Sequence, residues 1–385
     1  MASDLDADYW IEPELMVALR RDIERQVEKM AKLGEVVKEV ASLRTGLEIK
    51  QIAKTRGFDV YAVDSSFAPP LELVGGLFTV ITYGYVGISN GVQDKFITGT
   101  LYFNDDENIS RFSSLLEKRL ATRLLDAKAG GYKQFDLLIL DGEIAIHPLP
   151  YNLAAEGGQR EVVNHVVDKM LKAAYMGKTT VVAITKRVRS RYLSVAAGRC
   201  LEINDKVATS YILRPGEYFS LGKLRELLPK WINIHYLECS GVDREEVLRC
   251  YKDGVSPRDA KAEKLCKRLK EFKENFSAIL NSPRYPHLRH LGDVEVIYYM
   301  PHGHKTAVRI EVLDFGNYGV EDIVAYLASS TSPTTGYPQV LDAVDQYVRI
   351  SPELVEAILT AVTTRSPELA LLMWPTNTQK RLVRF

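Results

Sequence analysis

Two aspartates each close a short apolar run and open onto small residues. Asp64 follows Val60–Val63 and precedes Ser65 and Ser66, while Asp141 follows Leu137–Leu140 and precedes Gly142. A carboxylate at the tip of a buried strand loses its hydration, so its charge is costly unless something cationic or hydrogen-bonding compensates it. Two such residues suit a divalent metal, a catalytic base or a helix-capping role. If both line one site, metal-assisted phosphodiester chemistry requires a further oxygen ligand. Glu117, in Leu115-Leu116-Glu117-Lys118-Arg119, is the candidate from the intervening helix, and Glu143, two residues past Asp141, competes with it. The plainer readings are strand-end capping for the aspartates and a solvated ion pair for Glu117.

A basic run, Lys186-Arg187-Val188-Arg189-Ser190-Arg191, follows an apolar stretch that ends at Thr185. Alone it reads as a solvated helix start. At the carboxyl end of a parallel strand it faces the same edge as the carboxylates, where a phosphate backbone would lie. Lys186, Arg187, Arg189 and Arg191 are therefore the candidate DNA-binding residues, with Lys186 nearest the chemistry. Other motifs are weaker. Met176-Gly177-Lys178-Thr179-Thr180 lacks the first glycine of a phosphate loop and precedes a strand. His302-Gly303-His304 sits in an expected hairpin turn with no third ligand nearby. No G-x-S-x-G elbow or G-x-G-x-x-G loop is present.

The elements that must place these residues are legible as periodicity. Residues 12–43 read as a long amphipathic helix, with Leu15, Leu19, Ile23, Val27, Met30, Leu33 or Val37, and Val40 at spacings of three and four. Strands are expected at 60–63, 77–88 and 95–103, with Gly75-Gly76 and Asn90-Gly91 as turns, giving an antiparallel meander. A helix over 106–129, a strand over 135–140, a helix over 159–176 and a strand over 179–185 follow. This order predicts an RNase H-like mixed α/β sheet, a meander followed by parallel strands, flanked by helices. In it the strand bearing Asp141 lies parallel beside the strand bearing Asp64. Beyond residue 200 the pattern is less regular. It gives a charged helix over 259–280, a hairpin of strands over 294–300 and 306–313, and helices near 318–328, 338–347 and 352–363. The expected organisation is an N-terminal helical segment, 1–50, suited to dimer contact, and one elaborated domain over 51–385.

Bulk properties narrow the class. Apolar residues make up 46% and charged residues 26% of the 385, as in globular proteins, and Lys plus Arg equals Asp plus Glu at 50 each. No global field advertises a polyanion partner, so any such site must come from local clustering. The four cysteines, 200, 239, 250 and 266, have no C-x-x-C spacing and are expected as thiols in a reducing compartment. The acidic opening Met1–Asp8 has no basic n-region, and no apolar run reaches the roughly 18 residues of a membrane span. These features lead to the expectation of a soluble, cytoplasmic protein without membrane contact.

Five short motifs, in order, resemble those of the NurA nucleases: Val63-Asp64-Ser65-Ser66, Leu140-Asp141-Gly142, Thr185-Lys186-Arg187, Arg214-Pro215-Gly216-Glu217 and Gly336-Tyr337-Pro338-x-x-Leu341. The match runs from about residue 55 to 350. The resemblance implies an RNase H-like fold, a homodimer enclosing a channel, and manganese-dependent cleavage of DNA, with magnesium as the other metal. It also implies work beside the hexameric HerA helicase-translocase in archaeal DNA end resection, as a 5′–3′ exonuclease with single-strand endonuclease activity. Asp64 and Asp141 then match the metal-binding aspartates, Glu117 the helix glutamate, and Lys186 the basic motif. Where the late motif usually continues to an Ala-His pair, this chain reads Val344-Asp345. Asp345 can ligate a hard cation through oxygen, but an ordinary Asp is ionised at pH 7 and does not replace a His acid or base. The rival readings are a weak or inactive DNA clamp or helicase-docking subunit on the same fold, and a phosphohydrolase of small phosphate esters.

Overall fold

The computed structural model describes residues 13–54, 57–104, 108–145, 159–186, 188 and 190–365. Its strands are β1 (Lys50–Gln51), β2 (Val60–Phe67), β3 (Leu71–Leu73), β4 (Gly76–Ser89), β5 (Val92–Asn104), β6 (Leu137–Asp141), β7 (Thr180–Thr185), β8 (Glu217–Lys223), β9 (Glu295–Tyr299) and β10 (Val308–Leu313). Its α-helices are α1 (Pro13–Ser42), α2 (Ile109–Ala129), α3 (Gln159–Met176), α4 (Leu193–Ala197), α5 (Asp205–Ile212), α6 (Leu224–Leu237), α7 (Arg244–Asp253), α8 (Ala260–Leu280), α9 (Val320–Ser329), α10 (Gln339–Tyr347) and α11 (Pro352–Arg365). Among the described residues the strands form one mixed sheet in the order β1-β8-β9-β10-β7-β6-β2-β4-β3, with β5 also on β4.

β2, β4 and β5 are the expected antiparallel meander, and β6 lies parallel to β2, with Val63 beside Leu140. β7 is parallel to β6. These central strands are apolar on both faces because helices cover both. Strand alternation sends Tyr61, Val63, Leu138 and Leu140 to a core shared with α2 and α3. Val60, Ala62, Leu137 and Ile139 face the opposite core, with Val340, Leu341 and Val344 of α10.

Two expectations are corrected, and a third, the late hairpin, is met and extended. β2 does not stop at Val63. It runs to Phe67 because β4 continues to pair with it after β6 has ended, so Asp64 lies mid-strand opposite Gly84. The hairpin β9–β10 is present, but β10 packs antiparallel against β7 and carries β9, β8 and β1 outward, extending the sheet beyond the parallel strands. The cysteines are not free thiols. Cys200 pairs with Cys239, Cα atoms 5.1 Å apart, and Cys250 with Cys266, 6.1 Å apart. Both separations suit a disulfide, and the partners meet only because the α4–α5 connection reaches the end of α6 and α7 lies against α8.

The long N-terminal helix is present, yet its apolar stripe is used unevenly. Val36, Val37 and Val40 join the core, while Leu19, Ile23 and Val27 face solvent. The side chains of Leu15, Met30 and Leu33 lie outside the described residues. Arg44, just beyond α1, fixes this end to the sheet. Its guanidinium donates to both carboxylate oxygens of Glu217 at 2.7 and 2.8 Å, and to Ile212 O at 2.6 Å. Glu217 belongs to the Arg214–Glu217 motif, which therefore docks the N-terminal segment. Arg44, foremost, holds its carboxyl well below the usual range, at about 2.

Candidate metal centre

Asp64 and Asp141 meet because β2 and β6 are parallel and in register, with the two residues one step past the Val63–Leu140 pair. Alternation turns both toward α10. Leu341 and Val344 bury that helix against the same face, so Asp345, the next residue, arrives beside them. One oxygen from each of Asp64, Asp141 and Asp345 lies within 4.8 Å of the others. Asp64 is only 4% exposed, while Asp141 and Asp345 are half-buried.

The polypeptide around Asp141 is held on several sides. Gly142 has φ +106°, a conformation that strains residues with a side chain. Its N–H donates to Ile184 O at 2.9 Å, and Thr185 Oγ1 donates to its carbonyl at 2.9 Å. The turn that follows Asp141 is thereby tied to the end of β7, where Lys186 begins. Lys186 Nζ sits 2.9 Å from Asp141 and 3.1 Å from Asp345, over the Tyr337 ring. Burial opposes its charge, but Asp141, Asp64 and Asp345 outweigh that and hold it above its ordinary value.

Glu117 reaches the centre from the other side of the sheet. Ser65 points away from Asp64 and toward α2, and its hydroxyl donates to Glu117 Oε1 at 2.5 Å. Glu117 is not within the three-carboxylate group. Burial, chiefly, raises its carboxyl to about 7, and the Asp141 charge adds to the rise while Lys118 and Ser65 oppose it. Burial likewise raises Asp64 to about 8, with Asp141 and then Glu117 adding to the rise and Lys186 opposing it. The cluster holds more negative charge than its lysines offset, which is the electrostatic requirement of a divalent cation site. Three carboxylates presented together fit a hard, oxygen-seeking ion.

Glu143 lies outside the three-carboxylate group, and its carboxylate faces Arg309. Arg309, on β10 and 1% exposed, donates to Glu143 at 3.1 Å and to Glu311 at 2.5 Å. Glu311 in turn accepts from Ile144 N at 3.0 Å. Both carboxylates brace the Gly142–Ala145 turn from beneath. Lys118, also buried, belongs to the same layer, and burial lowers its ammonium despite Glu117, Glu311 and Asp141. A lysine among the apolar residues of α2 is the sequence signal for this layer. Tyr337 was noticed only as part of a motif, yet its hydroxyl donates to Lys186 O at 3.3 Å. Of the basic run, Lys186 and Arg191 are described and half-buried, whereas Arg187 and Arg189 lie outside the described residues.

A family model, the NurA domain, matches residues 58–350. The chain belongs to the NurA family. Among solved structures, the NurA nuclease from Sulfolobus solfataricus aligns with TM-score 0.56 and 14% identity, covering 93% of this chain and 98% of that one. A second NurA crystal structure aligns with TM-score 0.53 and 11% identity, covering 91% and 99%. A third, NurA bound to dAMP and manganese, aligns at 0.48 and 10% identity, covering 91% and 99%. No curated protein matches the chain. The first two alignments show the same mixed α/β fold. No described helix is long and apolar enough to cross a membrane.

Proposed function

We propose that this NurA-family protein is a metal-dependent deoxyribonuclease. The observation that carries this reading is the Asp64, Asp141 and Asp345 cluster, within 4.8 Å and beside Lys186. Asp64, Asp141 and Asp345 would hold one or two divalent ions, manganese by family kinship and magnesium by the same oxygen chemistry. When bound, such ions polarise a water and a phosphoryl oxygen and offset charge on the leaving group. Glu117, raised toward neutrality and fixed by Ser65, can orient or exchange a proton at the inner edge of the site. Lys186 keeps its charge and stands where the phosphate must pass, so it can anchor a non-bridging oxygen. Arg187, Arg189 and Arg191 would extend that grip along the strand. No base-reading motif accompanies them, so cleavage depends little on sequence.

The finer reading follows from family kinship. The protein would act as a homodimer, with the exposed stripe of α1 as dimer contact, in DNA end resection beside a HerA-type hexameric ATPase. Its activity would be 5′–3′ exonucleolytic with single-strand endonuclease action, in the cytoplasm near the nucleoid. A second reading, a non-catalytic DNA clamp, draws support from the Lys186 bridge, which neutralises part of the cluster without a metal.

One experiment separates the two. End-labelled single- and double-stranded DNA is incubated with wild type and Asp64→Ala, in manganese, magnesium or chelator. The nuclease reading expects metal-dependent cleavage that the variant loses. Intact DNA under every condition, with equal binding by both proteins, gives the clamp.

A further inference from the structure

We infer that Asp205 is the positioning residue of the basic loop after β7, acting on the grip on DNA and not on the metal. The inference rests on the nuclease reading for the identity of what the loop holds. Asp205 opens α5 and is 1% exposed. Its Oδ2 accepts from Ser190 Oγ at 2.7 Å, from Tyr192 N at 2.8 Å and from Tyr298 Oη at 2.7 Å, and its Oδ1 accepts from Leu193 N at 2.9 Å. Its own N–H donates to Ser190 O at 3.0 Å. Apart from the Tyr298 bond, all of these go to the loop or to Leu193, the residue with which it enters α4.

The helix itself does not require this carboxylate. Asn204 already caps α5, its side chain accepting from Val207 N at 3.0 Å. Burying a carboxylate is costly, and here its acceptors are spent on one neighbouring loop. The next residue holds the loop's other end. Lys206 Nζ donates to Lys186 O at 3.2 Å and to Tyr337 Oη at 3.0 Å. Two consecutive residues of one helix thus grip the chain at Lys186 and again at Ser190–Leu193. Arg309 reaches the same Ser190 hydroxyl at 3.4 Å and lies against the Tyr192 ring at 5.0 Å. A loop held at both ends presents Lys186 and Arg191 without ordering cost at each binding event, whereas a loose one bears that cost every time.

Asp205→Asn keeps the side chain's shape but not its acceptors. Each carboxylate oxygen now meets a backbone N–H, of Tyr192 or of Leu193, so the amide NH2 faces a donor in either orientation. The full-length variant is compared with wild type by anisotropy on labelled single-stranded DNA in chelator, over a salt series. The expected result is binding weaker by roughly tenfold, with a salt slope shallower by about one phosphate contact. Manganese affinity by calorimetry stays at the wild-type value, and in turnover KM for DNA rises more than kcat falls. Wild-type DNA affinity and salt slope would overturn the inference, and so would a manganese affinity that falls as far as the DNA affinity. If circular dichroism shows that Asp205→Asn does not fold, Ser190→Ala decides, since it removes a single hydroxyl. Weaker DNA binding then supports the inference and unchanged binding overturns it. Binding is read without metal, so a wild type that binds but never cleaves DNA would sink the nuclease reading alone.

Discussion

Ser65 donates its hydroxyl to Glu117 at 2.5 Å from the face of β2 opposite Asp64. Adjacent residues of one strand therefore serve two layers, one the carboxylate cluster and the other its inner wall. Glu117 should behave as a supporting group and Asp64 and Asp141 as ligands. Asp64→Asn and Asp141→Asn are expected to abolish cleavage and weaken manganese binding together. Glu117→Gln should cost about 10- to 100-fold in activity, in the range of groups that orient ligands, with measurable metal binding retained. Calorimetry and cleavage on the three variants check this. Equal loss of metal binding in all of them would make Glu117 a ligand.

The raised carboxyl of Asp64, near pH 8, couples metal binding to protons. A carboxylate whose folded pKa lies above its unfolded value holds its proton more tightly when folded. Its contribution to metal-free stability is thus complete below about pH 4 and is lost as pH rises toward 8. Metal must displace that proton, so manganese affinity should climb by up to tenfold per pH unit, roughly, between pH 6 and 8, then level off. Calorimetry in two buffers of different ionisation enthalpy should detect proton release at pH 6.5 and little at pH 9. Asp64→Asn should erase the difference. An affinity flat across the range would remove this account.

Lys186 offers a sharper test, because it competes with metal for the same carboxylates. Its ammonium contacts Asp141 and Asp345. Lys186→Met should leave manganese affinity equal or tighter, since a repelling charge is gone, yet slow cleavage by about 10²-fold or more through loss of charge stabilisation. If metal affinity fell in step with cleavage, the lysine would instead be holding the ligands in place.

What could be read in the sequence depended on how local the signal was. The meander, α2, β6, α3 and β7 are long or uniformly apolar, and each announces itself by its own period. The neighbourhood of Asp64 and Asp141 followed from that order. β8 did not announce itself, because Glu217–Lys223 mixes Ser, Gly and Lys and its partners come from residues 50–51 and 295–299. Ser65 and Ser66 looked like residues beyond the strand's end, but they are polar strand residues sustained by β4. The choice between Glu117 and Glu143 was open for a related reason. Closeness in sequence to Asp141 said nothing about Arg309, 166 residues away, which claims it. The disulfides likewise join residues whose approach only the packing of α6, α7 and α8 decides.

Arg309 also yields a prediction about stability. Fully buried, it is held above its ordinary pKa because Glu311 and Glu143 outweigh the cost of burial. Removing it in Arg309→Met leaves Glu311 buried without its cation, and burial already raises that carboxyl. Loss of one partner from a buried pair costs about 3–5 kcal/mol, so urea midpoints should fall accordingly. The double variant Arg309→Met with Glu311→Leu removes both charges and should recover part of that loss. Recovery of fold without recovery of cleavage would show that the pair also braces the turn after Asp141, because Glu311 holds Ile144 N and Arg309 holds Glu143. A single variant as stable as wild type would mean the layer is solvated and contributes little.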